Sequence, residues 1–449
     1  MKFTKLSLAA LIAMGIASNA SALENVKVDG QVKLWYQTTD LTSLSTEAAS
    51  ATSKNDGIFK QVGATGDLVA KLRATGDLTK KVSFGTTMYM VTTLGLENNL
   101  VSSEAITVGS TNDVGGAGVT NGDSNLPMWL GEAYMTYKAG NTLVKIGRQE
   151  LDTPLAFTET WNAAPNTFEA AVVVNKDLPD TTLVAAYVAR GNGNGASTVG
   201  KNFNAYGNFG SSYAPGETGA GAYAVCMLNK SIPNLTVHPV YYDVVDSATA
   251  FWIDAAYNIP NIAKIEALYA TLSAQGDLEN SLKTAGVQDR DTDAYAVKVS
   301  GELASVKLGA SYSAVSKGTI PVANTATGFT KTKIYTASIL SDGRIAAQPD
   351  VKSWKVEAAT KVAGFDLGAS YGSYDVGDND RGTRLTGGYT LNKEKSPSEI
   401  DLSVGTKIDD INVVAYYIMQ NDFTCNSATS TNPEARDRQA FRVIASINF

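Results

Sequence analysis

Apolar residues recur at every second position from one end of this chain to the other, and that period decides which folds are open to it. Near the start, Val28, Val32, Leu34 and Tyr36 alternate with Lys27, Asp29, Gln31 and Lys33. At the end, Phe441, Val443, Ala445, Ile447 and Phe449 share one parity. Arg438, Ala440, Arg442, Ser446 and Asn448 share the other, with Ile444 as the exception. The same rhythm returns at Leu183/Ala185/Tyr187/Ala189, Phe251/Ile253/Ala255/Tyr257, Val306/Leu308/Ala310/Tyr312 and Phe365/Leu367/Ala369/Tyr371. Side chains of a strand point to opposite faces in turn, so each segment has one greasy and one wet face. No window of similar length carries sustained helical spacing, and nothing beyond the first residues approaches the ~20 apolar residues of a spanning helix.

The turns carry an independent signal. Leu178-Pro179-Asp180, Ile232-Pro233-Asn234 and Ile259-Pro260-Asn261 repeat one device, in which Pro sets the first corner and Asp or Asn accepts the second. Other short turns fall near Asp77–Lys80, Gly140-Asn141, Leu303-Ala304, Ala363-Gly364 and Asp409-Asp410. Between them lie mostly long, polar or Gly-rich connections, such as Gly191 to Gly219. Short turns on one side and long loops on the other are the pattern of an outer-membrane barrel. Eight short turns imply about eighteen antiparallel strands in one closed transmembrane β-barrel. Pro239 inside the candidate strand Leu235–Val244 predicts a bulge or a lower count, because Pro cannot donate to the ladder. Thr383 to Leu391 is placed in a long outer loop, since counting it as a strand breaks the even number. Tyr36, Trp129, Tyr137, Tyr187, Tyr257, Tyr312, Tyr371 and Phe449 near strand ends read as interfacial girdles. A β-sandwich would instead need two comparable apolar faces.

Met1 to Lys5 is basic, Leu6 to Ile16 apolar, and Ala20-Ser21-Ala22 a cleavage motif, so residues 1–22 read as an export signal before a barrel domain over residues 23–449. Removing 22 of 449 residues leaves 427, and losing Lys2 and Lys5 takes the formal charge from −7 to −9. Only 18% of residues are charged, below the roughly 25% of soluble domains, as a lipid-facing half requires. The acidic balance argues against nucleic-acid binding. One His and two Cys argue against His-rich metal sites and disulfide scaffolds. His238, the one imidazole, has no acid beside it in sequence, so no enzyme is expected. Cys226 on a strand and Cys425 in a loop are a poor disulfide pair. No cofactor is expected. Asp375, Asp378, Asn379 and Asp380 could offer oxygens to calcium, yet their spacing fits no EF-hand, and a solvated loop is the plainer reading. The runs Gly115–Gly118 and Gly191–Gly195 lack the strand-to-helix context of phosphate loops and read as surface loops.

Residues 147–183 are more specific. Gly147-Arg148-Gln149, Leu151, Thr153-Pro154-Leu155, Trp161 and Pro165-Asn166-Thr167-Phe168-Glu169-Ala170 are followed by Asn175 and Pro179-Asp180-Thr181-Thr182-Leu183. This run resembles the OprD-like porins of campylobacterota, the group that includes the Campylobacter major outer membrane protein. The resemblance implies an eighteen-strand diffusion channel and allows a homotrimer. It also implies a third loop, Leu151 to Asn166, folded into the lumen between strands Thr142–Glu150 and Thr167–Lys176. Phe449 on the last alternating strand looks like the signal for the barrel-assembly machinery.

A channel of this kind passes small hydrophilic solutes and ions through outer-membrane lipid, and fixed charge at its narrow point sets preference. From Gln149 to Glu169 the chain has Glu150, Asp152, Glu159 and Glu169 and no base, with Arg148 just before them as a counter-charge. These five are expected at the constriction. Lys33, Lys71, Arg73, Arg438 and Arg442 fall on the wet parity of the first, second and last strands, which a closed barrel places side by side as one basic wall. The expectation is weak cation preference with a field across the pore. Two rivals stand beside it: a solute-specific channel for small carboxylates or amino acids, and an exported adhesive β-protein without a pore.

Overall fold

The computed structural model describes residues 23–40, 57–96, 100–101, 107–108, 128–192, 198–199, 204–205, 221–327, 331–377, 396–423 and 436–449. The export-signal reading of residues 1–22, the run Gly115–Gly118, the segment Thr383–Leu391, the trio Asp378, Asn379 and Asp380, and Cys425 lie outside the described residues.

Eighteen long strands form the wall among the described residues. They are β1 (Glu24–Thr39), β2 (Ala64–Asp77), β3 (Val82–Thr92), β4 (Met128–Ala139), β5 (Thr142–Gln149), β6 (Phe168–Asn175), β7 (Thr181–Gly191), β8 (Ala222–Asn229) and β9 (Leu235–Val244). There follow β10 (Ala248–Ile259), β11 (Ala263–Ala274), β12 (Thr292–Leu303), β13 (Val306–Val315), β14 (Val351–Val362), β15 (Phe365–Val376), β16 (Ser398–Ile408), β17 (Ile411–Phe423) and β18 (Arg436–Asn448). Each pairs antiparallel with the next in sequence, and β18 pairs with β1 from Gln31↔Asn448 to Thr39↔Ala440. Closure leaves no free edge in the wall, as a bilayer demands. The two-residue strand Asn204–Ala205 adds to β7, and Thr107–Val108 pairs with Thr198–Val199 apart from the wall.

The eight short turns all fall on one end, where the positive φ of Asp180, Asn234, Asn261, Ala304, Ala363 and Asp409 makes the corners. On the lipid face the alternating residues stay exposed, among them Val225, Tyr257, Val297 and Leu367. Trp129 departs from the girdle reading: it is buried on the inner face, stacked on Tyr89 at 5.4 Å, because a loop covers it from inside. Ile444 owes its exceptional parity to the same cover, packing inward with Trp35, Val69, Ala163 and Ala164.

Pro239 causes no bulge. β9 stays in continuous register with β10 through Pro239↔Ile253, while on the β8 side the ladder opens between Cys226↔Val240 and Asn229↔Val237 and resumes in the same register. The missing N–H is thus confined to one ladder without slippage, and the count stays at eighteen. At the barrel seam Phe449 extends the β18–β1 ladder, exchanging backbone hydrogen bonds of 3.0 and 2.9 Å with Gly30. Its ring lies where a Cβ on Gly30 would fall, only 2.3 Å away, so glycine there lets the terminal aromatic close the seam.

Candidate functional site

The lumen is narrowed by two connections that turn inward. The first, between β5 and β6, crosses to the opposite wall. The Trp35 indole N–H donates to the Trp161 carbonyl and Lys33 Nζ to the Asn162 carbonyl, both at 3.2 Å, while the Trp161 ring meets Tyr416 of β17 at 5.6 Å. On another side the Leu155 N–H donates to the Tyr242 hydroxyl of β9 at 3.2 Å. Small and apolar residues make this possible: Leu155, Ala156, Phe157, Ala163 and Ala164 are buried inside the barrel.

The second inward connection, between β13 and β14, was not legible as such. Ile320, Val322, Ala323, Asn324, Ile334, Ile345 and Ala346 along it are buried. Asn324 locks the two loops together: its Nδ2 donates to the Phe157 carbonyl at 2.8 Å and its Oδ1 accepts the Phe157 N–H at 3.2 Å. Thr325 adds bonds from N–H and Oγ1 to the Leu155 carbonyl at 3.1 and 3.0 Å. Glu399 of β16 fastens the far end, accepting from the Leu340 N–H at 2.8 Å, the Ser341 hydroxyl at 2.5 Å and Gln420 at 3.0 Å. The signal for this fold was compositional. Residues 316–350 hold many small and apolar residues, unlike a loop spread in water.

Of the five residues expected at the constriction, three face the lumen. Glu150 lies 3.9 Å from Lys71. Asp152 is bonded to Lys333 of the second inward loop. Glu159 is 6% exposed; its backbone N–H donates to Asn166 at 2.7 Å and its carboxylate accepts the Trp161 N–H at 2.7 Å. Burial is the main cause that pushes the Glu159 carboxyl above its ordinary range, partly offset by Lys331.

Arg148 and Glu169 are corrections. Arg148 pairs with Ala133 and Glu169, and its parity is that of Ile146, which is 59% exposed on the lipid face. Glu169 shares the parity of outward Val173. The two form an ion pair at 2.9 Å on the outside of the barrel. Sequence proximity to the loop suggested the lumen, but a strand flips its side chains at each residue, and Gln149, not Arg148, takes the inward position.

The basic residues all carry the inward parity. Asp29↔Arg73, Gln31↔Lys71 and Gln37↔Arg442 align β18, β1 and β2, so Lys33, Lys71, Arg73, Arg438 and Arg442 stand on three adjoining strands. They are not equally open. Arg442 donates to Gln37 at 2.9 and 2.7 Å and lies over the Trp35 ring at 5.0 Å, and Arg73 reaches the Tyr134 hydroxyl at 3.4 Å.

Sequence reading also passed over a charge ladder on β11 to β14. Lys264 meets Glu266 at 2.6 Å, Lys298 meets Glu357, and Lys355 meets Glu357 at 3.3 Å. The pairs Lys264/Glu266 and Lys355/Glu357, two apart around an outward Ile or Val, were the available signal. Together with the loops they line a cavity of about 1150 Å³ that continues to the turn at Pro260 and Asn261. Glu159, Glu266, Glu302, Asp342, Glu357 and Asp401 line it, and so do Lys264, Lys298, Lys307, Lys331, Lys355 and Arg442. Six acids and six bases thus share one space. Asp342 is paired with Lys331 at 2.6 Å, and burial is the main cause raising its carboxyl.

His238 Nδ1 lies 3.1 Å from Asp254, which also accepts the Trp252 indole N–H at 2.7 Å. The strand register supplies the acid that the sequence lacked, and the group reads as a packed lumen contact.

The family described as Campylobacter major outer membrane protein matches residues 1–196, a span that includes the motif run at 147–183. No curated protein matches. Among solved structures, Pseudomonas aeruginosa OccK9 (OpdG) has a TM-score of 0.68 at 12% identity, covering 95% of this chain and 98% of its own. Pseudomonas aeruginosa OccK8 (OprE) has a TM-score of 0.66 at 16% identity over 96% and 99%. Pseudomonas aeruginosa OpdK, solved with vanillate, has a TM-score of 0.64 at 12% identity over 96% and 100%. At these identities the likeness is one of fold.

Proposed function

We propose that this chain, an outer-membrane porin, passes small hydrophilic solutes and ions by passive diffusion with only weak preference for cations. The observation that carries the reading is the balance of six acids and six bases around the cavity. A cavity with so little excess charge discriminates weakly, and the overall formal charge of −7 gives the sign. Glu159 of the inward loop and Arg442 of the basic wall line the same space, so the field runs across the pore rather than along it. Dipolar solutes gain from aligning in such a field. The reading of an adhesive protein without a channel gives way to the porin.

The second reading, a channel for small carboxylates, is favoured by the vanillate bound to OpdK and by the lysines along β11 to β14 here. Reversal potentials across a planar bilayer in a KCl gradient test the first reading. The expected value is slightly cation-selective, with Glu159→Gln moving it toward anions and Arg442→Gln toward cations. Anion selectivity in the unsubstituted protein would overturn it and favour the carboxylate channel.

A further inference from the structure

We infer that Arg148, Glu169 and Arg190 form a seat on the outer barrel wall for the phosphate of an outer-leaflet glycolipid. The three side chains lie on β5, β6 and β7, in register as Arg148↔Glu169 and Glu169↔Arg190. Arg148 and Glu169 carry the outward parity of their strands, and a register shift in β7 between Val188 and Arg190 brings Arg190, out of step with Tyr187, to the same outer face. Glu169 holds Arg148 Nε at 2.9 Å and lies 3.9 Å from Arg190 Nε, while Arg148 Nη1 donates to the Leu130 carbonyl at 3.1 Å, so one carboxylate sets two guanidinium groups beside each other and, among the described residues, leaves a net positive charge. The Arg190 side chain is 59% exposed.

Height and surroundings identify the occupant. β7 runs from the short-turn end to the long-loop end, and Arg190 comes just past Tyr187, whose ring meets that of Tyr223 of β8 at a tilt, with centroids 4.9 Å apart. Aromatic pairs of this kind mark the membrane–water interface. The charges therefore stand at the headgroup level of the outer leaflet. Below them the outward face is apolar: Met135, Ile146, Val173 and Leu183 are exposed, ready for acyl chains. The remaining outward residues of β4 to β8 are uncharged, so the seat is a local cationic point on a greasy wall. Arginine forks suit phosphate geometry, and a cationic point above an apolar wall complements a phosphorylated lipid rather than free phosphate in water.

The inference rests on the barrel standing in an outer membrane, and conductance of the same preparations in a planar bilayer checks that premise separately. Binding of bisphosphorylated lipid A to the detergent-purified protein is measured by native mass spectrometry. The same lipid with its phosphates removed serves as comparison. Tighter binding of the phosphorylated form is expected, falling by about tenfold to thirtyfold in Arg148→Gln/Arg190→Gln with conductance unchanged. Should the double variant fail to fold, Arg190→Gln alone keeps the Arg148–Glu169 pair and is expected to lose about fivefold. Equal binding of the two lipids, or unchanged binding in a folded variant, would overturn the inference. So would a variant that loses its oligomeric state while still binding lipid, which would make this face a contact between copies.

Discussion

Replacing Asn324 with alanine tests whether the two inward loops hold each other in the lumen. The side chain is fully buried and lies in no strand, so the wall ladder is untouched. Two bonds between the loops disappear, and the Ala326 N–H loses its acceptor at 3.2 Å. The Phe157 carbonyl keeps Asn166 Nδ2 at 3.3 Å, so only its better partner goes, at about 1 kcal/mol. The Phe157 N–H is left buried and unpaired, which costs about 1–3 kcal/mol. Together the cross-loop loss is about 2–4 kcal/mol. The Thr325 bonds to Leu155, the Leu155–Tyr242 bond and the Lys333–Asp152 pair remain, so the loop is loosened rather than expelled. At tenfold per 1.4 kcal/mol, the displaced population should rise roughly thirty- to several-hundred-fold. Single-channel recordings should show added open-channel noise and brief excursions to higher conductance. Heat-modifiable migration on a gel, which reports the wall, should not change. A quiet channel of unaltered conductance, with the barrel intact, would refute the claim that this asparagine couples the loops.

Two further outcomes follow from where the charges point. Arg148→Gln and Glu169→Gln remove outward charges and should leave the cation-to-anion permeability ratio unchanged; a shift comparable to that of Glu159→Gln would mean that the β5–β6 register is wrong. The second concerns pH. Because burial raises the Glu159 and Asp342 carboxyls, their protons stay on above the ordinary carboxylate range. The folded state then binds more protons than the unfolded one. Their contribution to stability is fullest at low pH and declines as pH rises from the ordinary carboxylate value through the raised one. Cation preference should move the other way, weakening as pH falls and beginning to do so above the range of a surface carboxylate. Glu159→Gln should flatten that upper part of the titration of reversal potential against pH, and an identical curve in the variant would discount Glu159.

What the sequence made legible was whatever depends on period and corners. A strand repeats every two residues and a tight turn needs particular backbone angles, so parity and count could be read locally. The basic wall followed because closure of a barrel joins last to first. Trp129 and Ile444 broke the pattern for one shared reason: parity says which way a side chain points, but not whether water, lipid or another loop meets it there. The same limit explains Arg148 and Glu169. A charge next to an inward loop is not an inward charge, since one residue of register moves it across a wall to the lipid. The inward turn of residues 316–327 and 331–350 was hidden for a different reason. Loops carry no repeat, and their position depends on partners far away in sequence, such as Phe157 for Asn324 and Leu340 for Glu399. Yet composition held a usable hint, because a loop destined for water has no cause to keep Ile320, Val322, Ile334, Leu340 and Ile345. In a barrel, an apolar long connection on the open side should be read as filling, and the charges it brings as part of the pore. By that rule Lys331 and Asp342, which line the same cavity as Glu159, join it in the proposed constriction, and under the proposed function the sign of the selectivity rests on both loops together.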